Sequence, residues 1–126
     1  MKHMTNIHGI LGNASEKDIN EVKSEVDGIL IEAEVIEHAY KLIRDLLIFT
    51  NKRLILVDKQ GITGKKAEFL SIPYASISYF SIESAGHFDL DSDMKIGVRS
   101  GPTIIKKFRR DSQIENVQKT LARYIL

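Results

Sequence analysis

Apolar residues recur at helical spacing near the start of the chain and at strand-like spacing through its middle. Ile19, Val22, Val26, Ile29 and Leu30 make one stripe, the mark of an amphipathic helix. Ser15 stands ahead of it with Asp18 three residues on, a capping-box-like start, and Glu16 and Asp18 suit the positive end of the helix dipole. Gly28 weakens the far end. From Glu34 to Ile43 the pattern alternates in part, with Val35, Glu37, Ala39 and Lys41 against Ile36, His38, Tyr40 and Leu42. Leu46–Thr50 and Arg53–Val57 are rich in strand formers, and Asn51-Lys52 between them makes either a hairpin or a long bent strand pair. Arg44-Asp45 reads as a tight connection, and Asp58-Lys59-Gln60-Gly61 as a turn cluster.

Glu68–Ile72 reads as a strand stopped by Pro73, and Ile77–Ser84 alternates cleanly. Met94–Val98 and Thr103–Phe108 are strands joined by the turn Ser100-Gly101-Pro102. Asp111 or Ser112 caps a last helix, in which Ile114, Val117, Leu121, Tyr124 and Ile125 share a face. Short strands followed by one terminal helix predict an antiparallel barrel or orthogonal sandwich closed by that helix. Strand and helix do not alternate, which argues against a parallel α/β sheet.

Length and composition narrow the functional classes. The 126 residues fit one domain, here 13–126 behind a polar leader, 1–12. The absence of cysteine removes disulfides, thiolate chemistry and a zinc ribbon together. No apolar run is long enough to span a bilayer and no secretory pattern opens the chain, so a cytoplasmic location is expected. The net charge of +1 points to no nucleic-acid partner. Its distribution is lopsided, with nine acids against four bases from Asn13 to Asp45 and thirteen bases against eight acids from Leu46 onward. Such a chain can pair head to tail with copies of itself, or each half can neutralise the other within one molecule.

The candidate chemistry thins on inspection. Gly61-Ile62-Thr63-Gly64-Lys65-Lys66 has two residues between its glycines where a phosphate loop needs four, so it reads as a β-turn with exposed lysines. Asp89, Asp91 and Asp93 resemble a calcium loop, but Met94 and Ser100 stand where glycine and glutamate are required. No histidine pair has metal-ligand spacing and no nucleophile elbow surrounds a serine. No catalytic residue, metal or cofactor is expected, and the chain reads as a non-enzyme. Lys106, Lys107, Arg109 and Arg110 form a basic run that protects an edge strand or reads an anionic lipid surface weakly.

The run Lys41 to Gly61 resembles the bacterial pleckstrin-homology-like domain family, most specifically in Thr50-Asn51-Lys52-Arg53-Leu54-Ile55-Leu56-Val57-Asp58. So do Thr63-Gly64-Lys65-Lys66, Ser71-Ile72-Pro73-Tyr74 and Gly86-His87-Phe88-Asp89-Leu90-Asp91. The similarity covers about Ile10 to Leu126. It implies a mainly β fold: a strongly bent seven-stranded antiparallel barrel, a capping C-terminal helix and an extra N-terminal helix. It also implies closed cyclic rings, as pentamers, acting as scaffolds for a protein partner. The short, charge-balanced Arg44-Asp45 connection lacks the basic loop by which related eukaryotic domains read inositol lipids. Within the family-specific block, Thr50, Asn51, Lys52, Arg53, Asp58 and Lys59 are the candidate interaction surface. They serve either as turn chemistry or as a strand-edge contact between copies or with a partner.

Overall fold

The computed structural model describes residues 16–42, 45–60, 66–83, 92–108 and 114–126, with side chains described from Glu21 onward. The order of elements is α1 (Glu16–Val26), β1 (Ile36–Lys41), β2 (Leu46–Thr50), β3 (Leu54–Gln60), β4 (Lys66–Ile72), a 3₁₀ turn (Tyr74–Ser76), β5 (Ile77–Glu83), β6 (Ser92–Val98), β7 (Thr103–Phe108) and α2 (Ile114–Ile125). The seven strands form two antiparallel sheets of four and three, in the orders β1-β2-β3-β4 and β5-β6-β7. The chain divides into two compact units, Met1–Ser71 and Ile72–Leu126.

In the first unit, alternation, interrupted by a register shift between Ile36 and His38, brings Ile36, Ala39, Leu46, Ile48, Ile55 and Val57 into one core with Val22 and Val26 of α1. Ile29, Leu30 and Ala67 pack against its margin. Every residue of β2 is buried, so this strand shows none of the in–out alternation of a half-exposed one. Val22 and Val26 of the expected stripe thus face the core from α1, but the helix stops at Val26, two residues before Gly28, and Ile29 and Leu30 lie beyond it. Its expected Ser15 cap lies outside the described residues.

Two sequence expectations change here. Glu34 and Val35 precede β1, because Ile31 to Glu34 closes a turn through Glu34 N–H to Ile31 O at 3.0 Å. Ala33 supplies its left-handed residue, at φ 65°. Asp58, Lys59 and Gln60 continue β3 and are not a turn. Pairing within the four-stranded sheet carries the strand past Val57, where its apolar residues stop. The Asp45 carboxylate then accepts Lys59 N–H at 3.0 Å. Asn51-Lys52 resolves as a hairpin, closed by Thr50 N–H to Arg53 O at 3.0 Å.

In the second unit, β6 runs centrally with Met94 and Ile96 fully buried, and Phe108 of β7 joins them. Helix α2 packs on β5 and the 3₁₀ turn. Val117 and Leu121 are its buried apolar positions, and Tyr124 stacks on Tyr74 with ring centroids 4.8 Å apart. The proposed caps at Asp111 and Ser112 lie outside the described residues.

Candidate functional site

The hairpin between β2 and β3 meets the turn ahead of β1, and the two are held by charge. The Glu34 carboxylate has no exposed side-chain surface. Its Oε1 accepts Ile31 N–H at 3.0 Å and Arg53 Nη2 at 2.9 Å. Its Oε2 accepts Arg53 Nε at 2.9 Å and the Thr50 hydroxyl at 2.6 Å. The guanidinium also donates to Ile29 O at 2.6 Å and to Ser71 Oγ at 2.9 Å. One side chain of the hairpin therefore ties the segment that follows α1, the turn and β4 together within this unit. Arginine suits the task because its planar fork meets both carboxylate oxygens at once.

Burial alone would push the Glu34 carboxyl up, since it strips water from the charged form. The bonds from Arg53, Thr50 and Ile31 N–H, with the positive charge of Arg53, more than offset this and hold it at about 2, down from 4.5. The Glu34 bond raises the already high value of Arg53 against the opposing effect of burial. A carboxylate this firmly ionised and fully bonded is a poor proton acceptor, so the arrangement stabilises structure and does not suit acid–base chemistry.

Two further ties fix the hairpin. The Thr50 hydroxyl oxygen accepts the Lys52 and Arg53 N–H groups at 3.0 and 2.9 Å. Asn51 spans the same gap twice: its Oδ1 accepts Val35 N–H at 2.8 Å and its Nδ2 donates to Ala33 O at 3.0 Å. Asn51 N–H also reaches Val35 O at 3.1 Å.

The six expected interaction residues thus have different places. Thr50 is fully buried, so it acts from beneath the surface and presents nothing to a partner. Arg53 is 22 % exposed, while Asn51 and Lys52 are exposed. Asp58 and Lys59 sit farther along β3, half-buried, and Lys59 Nζ pairs with Glu25 at 2.6 Å. Around Arg53 the segments that it ties expose apolar side chains, namely Ile31, Val35 and Phe69. Sequence reasoning missed these three and missed Glu34. An acid between Ala33 and Val35 was the available signal for Glu34, and it was absorbed into an alternating strand.

Of the basic run, Lys106 and Lys107 lie on β7, an edge of the three-stranded sheet. Lys107 Nζ is paired with Asp93 at 3.0 Å. Arg109 and Arg110, and the Asp89 and Asp91 of the acidic loop, lie outside the described residues. No cluster of His, Asp and Glu that could hold a metal occurs among the described residues, and no helix there is long and apolar enough to cross a membrane.

Comparison with known proteins agrees with this architecture. The family profile "Bacterial PH domain" matches residues 6–125. The uncharacterised protein YjqA of Bacillus subtilis is 57% identical over 118 residues, covering 92% of this chain and 94% of YjqA. The crystal structure of a pleckstrin homology domain from Shewanella amazonensis superposes with a TM-score of 0.79 at 46% identity, covering 91% of this chain and 94% of that one. A DUF1696 family protein with a pleckstrin-homology domain from Shewanella loihica gives 0.72 at 40% identity, covering 85% and 92%.

Proposed function

The chain belongs to the bacterial PH domain family, and from that premise we propose a non-catalytic scaffold. In this reading copies associate head to tail into a closed ring, as pentamers, and hold a protein partner at the hairpin surface of Asn51, Lys52 and Arg53. The observation that carries the reading is the rigid tie of Arg53 to Glu34, with Ile31, Val35 and Phe69 exposed on the segments around it. A partly exposed arginine bonded to segments that carry exposed apolar side chains has the composition of a binding hot spot. Because the loop is pre-formed, little ordering entropy opposes binding. Light scattering on the purified full chain tests it. A mass near five times 14.3 kDa is expected, and a strict monomer at micromolar concentration would overturn the ring. Loss of a captured partner in a Lys52→Glu variant that still assembles would separate partner contact from subunit contact.

A second reading, a weak reader of anionic lipid surfaces, rests on the exposed Lys107 on an edge strand. The Asp93 pairing counts against it, because the carboxylate offsets the Lys107 charge. Sedimentation with phosphatidylserine vesicles decides the point: binding at low salt that high salt abolishes would favour it.

A further inference from the structure

Apart from the terminal Leu126, the three most exposed large apolar side chains among the described residues are Ile31 at 60 %, Ile105 at 55 % and Tyr79 at 50 %. They fall into two patches of different character. Ile31 stands on the turn ahead of β1, with exposed Glu32 next to it and exposed Asp27 four residues earlier in the chain. This knob is held in place: Ile31 N–H is bound by Glu34 and the turn is closed by its own hydrogen bond. Tyr79 and Ile105 lie on one face of the three-stranded sheet, with Lys95 exposed between them. The register places Lys95 beside both Ser81 and Ile105, and Tyr79 beside Gly97 in the adjoining row.

The second patch is also fixed. Gly97 has no Cβ, and one placed there would fall among the ring carbons of Tyr79. The tyrosine ring therefore covers the backbone of the central strand, and its hydroxyl bonds Thr103 Oγ1 on the far strand at 3.0 Å. A ring held at both ends loses little freedom when a partner covers it. Lys107 on the same sheet is already paired with Asp93, which leaves Lys95 as the cation set among the apolar groups.

The geometry points to a second copy of this chain as the occupant of the tyrosine face, with its acidic Ile31 knob seated between Tyr79 and Ile105 and its Glu32 set against Lys95. The complementarity follows the whole chain, whose residues 13–45 are acidic and whose remainder is basic. Two different patches in contact make a head-to-tail interface, the kind that closes into a ring when the rotation fits. The inference rests on the self-association proposed above and assigns the two surfaces that carry it.

Sedimentation velocity on the full chain over a micromolar concentration series tests it. Lys95→Glu and Glu32→Lys are each expected to weaken association about tenfold or more, and the chain carrying both to recover to within about threefold of wild type. Ile31→Ser is expected to weaken it as well. All these positions are exposed, so an unchanged urea midpoint shows that folding is intact. Wild-type protein that stays monomeric would overturn self-association and this assignment together. Wild-type protein that assembles, with Lys95→Glu and Glu32→Lys variants of equal affinity, would overturn the assignment alone.

Discussion

Arg53 grips Glu34 with two parallel hydrogen bonds, Nε to Oε2 and Nη2 to Oε1, both 2.9 Å long. The carboxylate is wholly enclosed, whereas the guanidinium keeps 22 % of its surface in water. The two partners therefore differ in what their loss costs. Arg53→Ala strands a buried charge and is expected to destabilise by about 3–5 kcal/mol in urea denaturation. Replacing both at once, as Glu34→Leu with Arg53→Met, is expected to cost less than Arg53→Ala alone, because no charge is stranded. Equal or larger loss in the double variant would show that the charges themselves are needed.

The same pair gives the stability a defined acid limb. The Glu34 carboxyl titrates at about 2 in the folded chain against 4.5 ordinarily. A folded value below the unfolded one means that the stabilisation is complete above about 4.5 and fades as pH falls toward 2. The difference corresponds to about 3 kcal/mol at most. Urea midpoints measured from pH 6 to pH 2.5 should fall through this window. In Glu34→Gln the slope should be visibly flatter, and an identical slope would assign the acid limb to other carboxylates.

Thr50 makes a sharper test of the hydroxyl than of the methyl. Thr50→Val keeps the shape but removes a donor to Glu34 and the acceptor for two backbone N–H groups. The expected loss is about 2–3 kcal/mol by chemical denaturation. Thr50→Ser should retain most of the stability, since it keeps the hydroxyl.

Gly97 and Tyr79 should behave as a coupled pair. In Gly97→Ala the new methyl evicts the ring and breaks the bond to Thr103, at an expected cost of about 1–2 kcal/mol. With Tyr79→Ala already present, Gly97→Ala should be neutral or stabilising, because alanine suits a strand better than glycine. A double-mutant cycle on thermal unfolding reads the coupling, and strict additivity would show that the ring moves aside freely.

Leu121 and Gln118 contrast two faces of α2. Leu121 is fully buried and Gln118 is exposed. Leu121→Ala is expected to cost about 2–5 kcal/mol and Gln118→Ala less than about 0.5. Similar values for both would mean that the helix is not docked through the Val117–Leu121 face.

Periodicity made most of this architecture readable. The stripe of α2 and the strands β5 and β7 stand nearly where their apolar spacing places them, because each has one face to bury. The pattern misled where it carried no such information. Asp58 to Gln60 are polar, and only pairing with a neighbouring strand keeps them extended. Glu34 read only as the first residue of an alternating segment. Its burial depends on Arg53, nineteen residues away, and no local spacing announces that partnership. The Thr50–Arg53 block did stand out as a unit, yet spacing could not tell the buried Thr50 from the exposed Asn51 beside it.

Asn51 acts as a surrogate peptide group. Its amide presents one acceptor and one donor to the backbone of residues 33 and 35, as a neighbouring strand would, and so adds one rung ahead of the first residue of β1 and beyond the last of β2. That rung makes the identity of the residue unusually strict. Aspartate has the same outline but would turn a lone pair toward the Ala33 carbonyl, and leucine would offer neither half of the exchange. Deamidation at this one position would therefore remove the bond to Ala33 O and leave the outermost rung to the Asn51 N–H to Val35 O bond, with the Arg53–Glu34 pair holding the seam behind it.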